Sequence, residues 1–268
     1  MTKPFLKWAG GKSQLLDKIL ARRPVEYNRY VEPMVGAGAV LFALPDHPAL
    51  INDLNAELIN TYIQVRDRPE EVIQELQLLP QDSQHYYSVR EIERNSEYLQ
   101  WSDVRKAART IYLNKLGFNG LYRVNSSGFF NVPFGKRINV NFEYNNIREV
   151  STRLGSCEIS CGSYLDMSGR IREDDLVYLD PPYLPLSESS NFTEYTTSGF
   201  DIEDHRQLKK FVDDLTELGA KVLVSNSHSE EIIRMYRDYN ISIVFAKRSI
   251  NSNGSRRGRV PEVLISNY

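Results

Sequence analysis

Asp180-Pro181-Pro182-Tyr183 follows the apolar run Leu176-Val177-Tyr178-Leu179, which reads as a buried strand. An acidic residue at the C-terminal end of such a strand opens onto the crevice where open α/β sheets bind ligands. Two consecutive prolines end the strand and direct the next carbonyls without offering amide donors. The result is a compact set of acceptors, the Asp180 carboxylate and a proline carbonyl, with the flat ring of Tyr183 beside it. Such a set suits an exocyclic amino group, which has two N–H donors and is carried on a flat ring. The plainer alternative is a strand ending in a Pro-rich turn with its tyrosine in the core.

A second group of residues suits a nucleoside. Glu32-Pro33-Met34-Val35-Gly36-Ala37-Gly38 ends the first clear strand, and the glycines permit close approach of backbone and ligand. A dinucleotide turn, G-x-G-x-x-G, would need glycine at position 41, where Leu41 stands. Asp53 ends the next strand and is placed to accept both hydroxyls of a ribose. Acceptors at two successive strand ends, with no pyrophosphate cradle, describe S-adenosyl-L-methionine. Gly10-Gly11-Lys12-Ser13 copies the tail of a phosphate-binding loop, but that loop requires glycine at position 6, which is Leu6.

The elements that must position these groups alternate in two stretches. A glycine turn, a helix over residues 12–21, a strand at Tyr30-Val31, a helix to Leu44 and a strand at 50–53 open a parallel, doubly wound sheet. Residues 55–116 then read as helical, followed by a Gly/Asn/Ser-rich aromatic segment at 117–135 that reads as a hairpin and loops. Alternation returns with strands at 157–161, 176–179, 222–225, 241–245 and 263–265. The expected fold is therefore α/β, one sheet formed by residues 1–54 and 145–268 and interrupted by a mainly helical insertion at 55–144.

At 268 residues the chain is long enough for one large α/β domain with an insertion. No stretch approaches the ~18 apolar residues of a membrane span, and Met1-Thr2-Lys3-Pro4 leads directly into fold-like sequence, so a cytoplasmic protein without a signal peptide is expected. Cys157 and Cys161 lack companions for a zinc site and read as reduced core or semi-buried thiols. Net charge is −2, yet the basic residues are segregated. Residues 104–142 contain no acid but hold Arg105, Lys106, Arg109, Lys115, Arg123, Lys136 and Arg137, and a second acid-free run spans 247–260. Such stretches are the footprint expected for a phosphate backbone.

Taken together, the motifs resemble the DNA adenine methyltransferase (Dam) family nearly end to end. The resemblance rests on F-L-K-W-A-G-G-K at 5–12, V-E-P-x-V-G-A-G at 31–38, N-D-x-N at 52–55 and N-G-L-x-R at 119–123. It continues with F-N-V-P-F-G at 130–135, D-P-P-Y at 180–183, N-F-T-x-Y at 191–195 and R-S-I-x-S-N-G at 248–254. It implies methylation of adenine N6, within double-stranded GATC, on a Rossmann-like S-adenosyl-L-methionine-dependent sheet carrying a helical DNA-recognition domain with a β-hairpin. Trp8, Lys12, Asp53 and Asp180 then correspond to cofactor-contacting positions, joined by Glu32, Pro33, Gly36 and Gly38, with Asp180 also at the target amine.

The target atom lies inside the duplex stack, so the base must be extruded. Tyr183 can stack on it, and Phe118 or Tyr122 can fill the gap. Arg123, in a loop with Asn119 and Gly120, is the expected reader of a guanine, since bidentate Arg to O6/N7 is the commonest specific contact. Lys7 and Arg137 are further DNA candidates, although an aromatic often stands in the family where this chain has Arg137. No metal is required, and a monomer is expected. The alternatives are an amino-methyltransferase acting on another DNA site or on RNA, and a catalytically silent DNA-binding protein.

Overall fold

The computed structural model describes residues 2–137, 139–184, 200–247 and 259–268. The segments at 191–195 and 248–254, and with them most of the second basic run, lie outside the described residues. The strands are β1 (Tyr30–Glu32), β2 (Ala49–Asp53), β3 (Cys157–Cys161), β4 (Leu176–Leu179), β5 (Lys221–Ser227), β6 (Asn240–Lys247) and β7 (Arg259–Ser266). They form one seven-stranded sheet in the order β3-β2-β1-β4-β5-β7-β6. β1 pairs in parallel with β2 and β4, β4 in parallel with β5, and β7 antiparallel with both β5 and β6. The order reverses between β1 and β4, and in a doubly wound sheet the carboxyl ends of the strands at that switch point are where ligands sit. The α/β expectation holds, including every strand read from the sequence.

By Cα proximity the chain forms two compact units, Met1–Gly11, Gly36–Asp46 and Asn52–Gly162 in one and Lys12–Val35, His47–Ile51 and Ser163–Tyr268 in the other. The second unit is built on the sheet. Val31, Leu50, Val177, Leu179, Val222 and Val224 are buried with Leu208, Phe211, Val212 and Leu215 of the helix Ile202–Glu217. Each such side chain contributes about 1.5–3 kcal/mol by leaving water. The runs are apolar at every position because central parallel strands are covered on both faces.

The first unit holds the helices α2 (Ala56–Asp67), α3 (Pro69–Gln77), α4 (Ser83–Glu91), α5 (Asp103–Leu116) and α6 (Tyr144–Leu154), α1 being Leu16–Leu20 of the other unit. Side chains of Asn55, Asp82 and Ser102 cap α2, α4 and α5. Pro69 opens α3, where its missing N–H costs nothing and where it forces Arg68 out of helical geometry. After α5 the chain makes antiparallel bridges, Gly117 to Phe134 and Val124 to Phe130, so the hairpin is short rather than an extended ladder.

Two early elements are shorter than the periodicity suggests. The helix expected over 12–21 is confined to Leu16–Leu20, leaving Lys12 in the turn before it. The helix expected to end at Leu44 is a single 3-10 turn, Leu41–Ala43, because Leu44 precedes Pro45 and adopts extended geometry. The thiols are free, Cys157 buried but Cys161 exposed. Among the described residues no helix is long and apolar enough to cross a membrane, and no group of His, Cys, Asp and Glu is arranged to hold a metal.

Candidate active site

Asp180 leaves the sheet directly after β4, and Glu32 ends the neighbouring β1, so two carboxylates stand at the switch point of the strand order. Asp180 Oδ1 is 2.7 Å from Lys12 Nζ and accepts the Ser225 hydroxyl at 2.8 Å. Among the described residues no hydrogen bond is made to Oδ2. The carboxylate is thus held by one oxygen while the other stays available to an N–H donor. Pro181 is buried and Pro182 exposed. Lys12 therefore has a side-chain carboxylate as its partner, which is unlike the phosphate-cradling lysine of a P-loop.

Tyr183 is fixed at both ends. Its hydroxyl donates to Glu262 Oε2 at 2.7 Å, and the Lys12 ammonium lies 4.6 Å from its ring centroid. Burial, and then the nearby Asp180 and Glu262 carboxylates, push the phenol well above its ordinary range, so it remains a donor. The ammonium and the ring make a cation–π contact. Glu32 and Pro33 are buried.

Asp53 ends β2 with backbone amides on both carboxylate oxygens, among them Gly36 N at 3.0 Å on Oδ2 and Asn55 N at 2.9 Å on Oδ1. Burial raises its carboxyl above the usual value, and the backbone hydrogen bonds of Asn55, Gly36 and Leu54 oppose that rise. A carboxylate oxygen has room for a second donor, so the pair can still take the two hydroxyls of a ribose. The turn itself needs glycine. Gly36 and Gly38 have φ of +47° and +67°, and a Cβ would come within 3.1 Å of the Trp8 ring at Gly36 and 2.8 Å of the Tyr62 hydroxyl at Gly38. The space beside these glycines is therefore filled by the protein's own rings. The residues present fit a nucleoside ligand: a constrained carboxylate beside a glycine turn.

The first unit also carries the DNA candidates. Trp8 stacks on Tyr122 with centroids 4.5 Å apart, whereas Phe118 is half exposed at 51 %. Of the two aromatics considered as gap fillers, Phe118 is the one that stands in solvent. The buried Asn114 side chain accepts from Lys7 N and donates to the carbonyls of Lys7 and Gly120, tying the Lys7 segment to the loop of Asn119. Asn119 is exposed with φ +57°, a conformation asparagine tolerates better than most residues.

Arg123 Nε donates to Asn131 Oδ1 at 2.7 Å across a hairpin whose turn is Ser126-Ser127-Gly128, closed by Gly128 N on Asn125 O. Arg137 and Lys136 are exposed. Two of the basic residues of this stretch serve the fold instead. Arg109 is buried against Glu93 at 2.9 Å and donates to the carbonyls of Val89 and Arg90, and Lys115 pairs with Glu143 at 2.7 Å. A guanidinium with those partners is unavailable to a phosphate, so the footprint rests on Arg105, Lys106, Arg123, Lys136 and Arg137.

Ser225, Glu262, Asn131 and Asn114 carry little signal in the sequence. The only signal for Ser225 is that an apolar strand turns polar at Ser225-Asn226-Ser227, and for Asn131 that it lies inside F-N-V-P-F-G.

The chain is similar to known proteins over nearly its whole length. The family described as D12 class N6 adenine-specific DNA methyltransferase matches residues 8–250. The chain is 40% identical over 271 residues to the Type II methyltransferase M1.LlaDCHI of Lactococcus lactis subsp. cremoris, covering 99% of this chain and 95% of that one. It is 38% identical over 287 residues to the Type II methyltransferase M.MjaIII of Methanocaldococcus jannaschii, covering 99% of each. It is 36% identical over 266 residues to the DNA adenine methylase of Escherichia coli, covering 98% of this chain and 94% of that protein. S-adenosyl-L-methionine is the cofactor expected of such a family.

Proposed function

Because the chain belongs to the D12 class of N6 adenine-specific DNA methyltransferases, we propose that it methylates adenine N6 within GATC in double-stranded DNA, with S-adenosyl-L-methionine as donor. The observation that carries the reading is Asp180, held at the switch point by Lys12 and Ser225 through one oxygen. In this reading residues 1–54 and 145–268 bind cofactor and perform the reaction, residues 55–144 read DNA, and the enzyme works as a cytoplasmic monomer.

When bound, the cofactor supplies a methyl group on a sulfonium, an excellent leaving group that needs no metal. Adenine's amino nitrogen is a poor nucleophile because its lone pair is delocalised into the ring. Asp180 and a proline carbonyl of Pro181-Pro182 accept hydrogen bonds from its two N–H groups and draw the nitrogen towards tetrahedral geometry, and the nitrogen gives up one of these protons during or after methyl transfer. This is preorganised electrostatic stabilisation of charge that develops on nitrogen. Tyr183 stacks on the extruded base, offsetting part of the few kcal/mol that extrusion costs. Asp53 takes the ribose hydroxyls, with Trp8, Lys12, Glu32, Pro33, Gly36 and Gly38 completing the cofactor side.

Arg123 reads a guanine, Phe118 fills the vacated stack, and Lys7, Asn119, Tyr122 and Arg137 contribute along the DNA surface. The GATC assignment draws on the N-G-L-x-R resemblance and on an arginine whose Nε is already engaged by Asn131, leaving the terminal amines for a bidentate contact. Methylation of random-sequence duplex with labelled cofactor, followed by mapping of the modified bases, tests the reading. Modified adenines at a different site would replace GATC, and label on RNA in preference to DNA would overturn the duplex substrate.

A further inference from the structure

Behind Asp180 stand two polar side chains on adjacent strands, Tyr178 of β4 and Ser225 of β5, of which Tyr178 has no part in the reaction as described. β4 and β5 run in parallel with Tyr178 opposite Leu223 and Leu179 opposite Val224, so Asp180 continues opposite Ser225. Tyr178 and Asp180 are two residues apart and project to the same side of the sheet. Ser225 is fully buried and Tyr178 is 2 % exposed, where the apolar run of β5 gives way to buried Ser225, Asn226 and Ser227. Their hydroxyl oxygens are 3.0 Å apart, and the Ser225 Oγ is 2.8 Å from Asp180 Oδ1.

The direction of this chain follows from proton counting. Ser225 has one hydroxyl proton. Asp180 Oδ1, next to the Lys12 ammonium at 2.7 Å, is an acceptor, so Ser225 donates to it. Tyr178 must then donate to Ser225 Oγ. Burial first, then the Asp180 carboxylate, raises the Tyr178 phenol well above its ordinary range, which keeps the proton it needs for that role. Hydrogen bonds in such a chain polarise one another in the same sense. Two donors converge on Oδ1, leaving Oδ2 to the substrate.

We infer that Ser225, backed by Tyr178, is a positioning residue that fixes the rotation of the Asp180 carboxylate and thereby assigns Oδ2 as the acceptor of the target amino group. The inference rests on Asp180 being the residue that meets the amine. Lys12 alone could hold the carboxylate by charge, but a point charge at the end of a flexible stem leaves the carboxylate free to rotate. A second donor from a rigid strand removes that freedom. Neither Ser225 nor Tyr178 touches the substrate, so both act on the rate through Asp180.

The test uses the full-length enzyme with duplex DNA and S-adenosyl-L-methionine, reading kcat separately from KM. Ser225→Ala should lower kcat by about 10- to 100-fold, the effect of a slightly misplaced reacting group, with KM for DNA and cofactor within about twofold. Ser225→Thr, which keeps the hydroxyl, should recover most of the rate. Tyr178→Phe should give a smaller loss than Ser225→Ala.

The decisive variant is Ser225→Ala combined with Tyr178→Phe. Removing both hydroxyls leaves no orphaned buried donor, so the fold is spared. If the pair serves only to satisfy burial, the double variant regains wild-type kcat. If it positions Asp180, the loss persists in a protein that unfolds at the wild-type temperature. A kcat within threefold of wild type in the double variant overturns the inference. Asp180→Ala is measured alongside: if it remains active, the reading of Asp180 falls and the inference with it, whereas an inactive Asp180→Ala with a fully active double variant rejects the inference alone.

Discussion

Arg123 and Asn131 face each other across a two-ended loop, the arginine Nε donating to the asparagine Oδ1 at 2.7 Å while Asn131 N returns a hydrogen bond to Arg123 O at 3.0 Å. The guanidinium is thereby tied to the hairpin through its Nε. Arg123→Ala is expected to relax selectivity at one guanine by about 1–3 kcal/mol, with turnover on the best site less affected. The ratio of cofactor-saturated rates on GATC and on duplexes lacking the guanine measures this. Equal losses on both would make Arg123 a backbone contact.

Substituting Arg105 and Lys106 together should act differently. Both lie on α5, Arg105 with its guanidinium 3.8 Å from the Trp101 ring centroid. Phosphate contacts carry no sequence information, so binding should weaken evenly across sequences and the salt dependence should flatten. A sequence-dependent loss would move these residues to base readout.

Asp180→Ala should reduce methyl transfer by about 100- to 1,000-fold while duplex binding survives. Turnover within tenfold of wild type would remove Asp180 from the mechanism. Asp53→Ala, by contrast, should weaken cofactor binding by about 1.5–3 kcal/mol and leave the affinity for DNA alone nearly unchanged. Calorimetry on the free protein separates the two, and an unaltered cofactor affinity would place the ribose acceptor elsewhere.

Arg109 is expected to matter for stability and not for DNA. Arg109→Ala removes a buried guanidinium, its hydrogen bonds to the carbonyls of Val89 and Arg90 and its ion pair with the partly buried Glu93, whose carboxyl is already raised by burial, and should cost about 3–5 kcal/mol. Urea unfolding gives the number. A stable variant with a reduced salt slope for DNA binding would return Arg109 to the interface.

His205 supplies a pH signature. Burial lowers its pKa from 6.5 to about 4, against the pull of Asp204 and Asp201. Above pH 6.5 the imidazole is neutral in both folded and unfolded chains and contributes no slope. As pH falls through that value towards 4 the unfolded chain takes up the proton first, so stability is lost across this window. Between pH 6.5 and 5 the loss should be about 1–2 kcal/mol, and His205→Gln should flatten it. Identical slopes for the two proteins would show that His205 protonates without penalty.

Much of the molecule is determined by local features of the chain. The run Leu176–Leu179 is apolar at every position because a central strand is covered on both sides, and Asp180-Pro181 must end it because proline has no N–H for the ladder. Glycine is needed at 36 and 38 because the backbone there has positive φ. These features, together with their order, are legible without coordinates. The tertiary structure alone decided which partner each polar group received. Lys12, Asp180 and Ser225 meet only because β4 and β5 are neighbours and the turn before α1 reaches them, and no spacing along the chain encodes that convergence. Arg109 reads as a surface cation in an acid-free stretch, yet it is buried because Glu93 lies on a different element and returns to meet it. Tyr122 and Phe118 have similar neighbours in sequence and opposite fates, one stacked on Trp8 and one in solvent, because only one lies within reach of that ring. Local sequence sets backbone geometry and burial through sterics and hydrophobicity over a few residues, whereas ion pairs and hydrogen bonds are chosen by whichever groups the completed fold brings within about 3 Å.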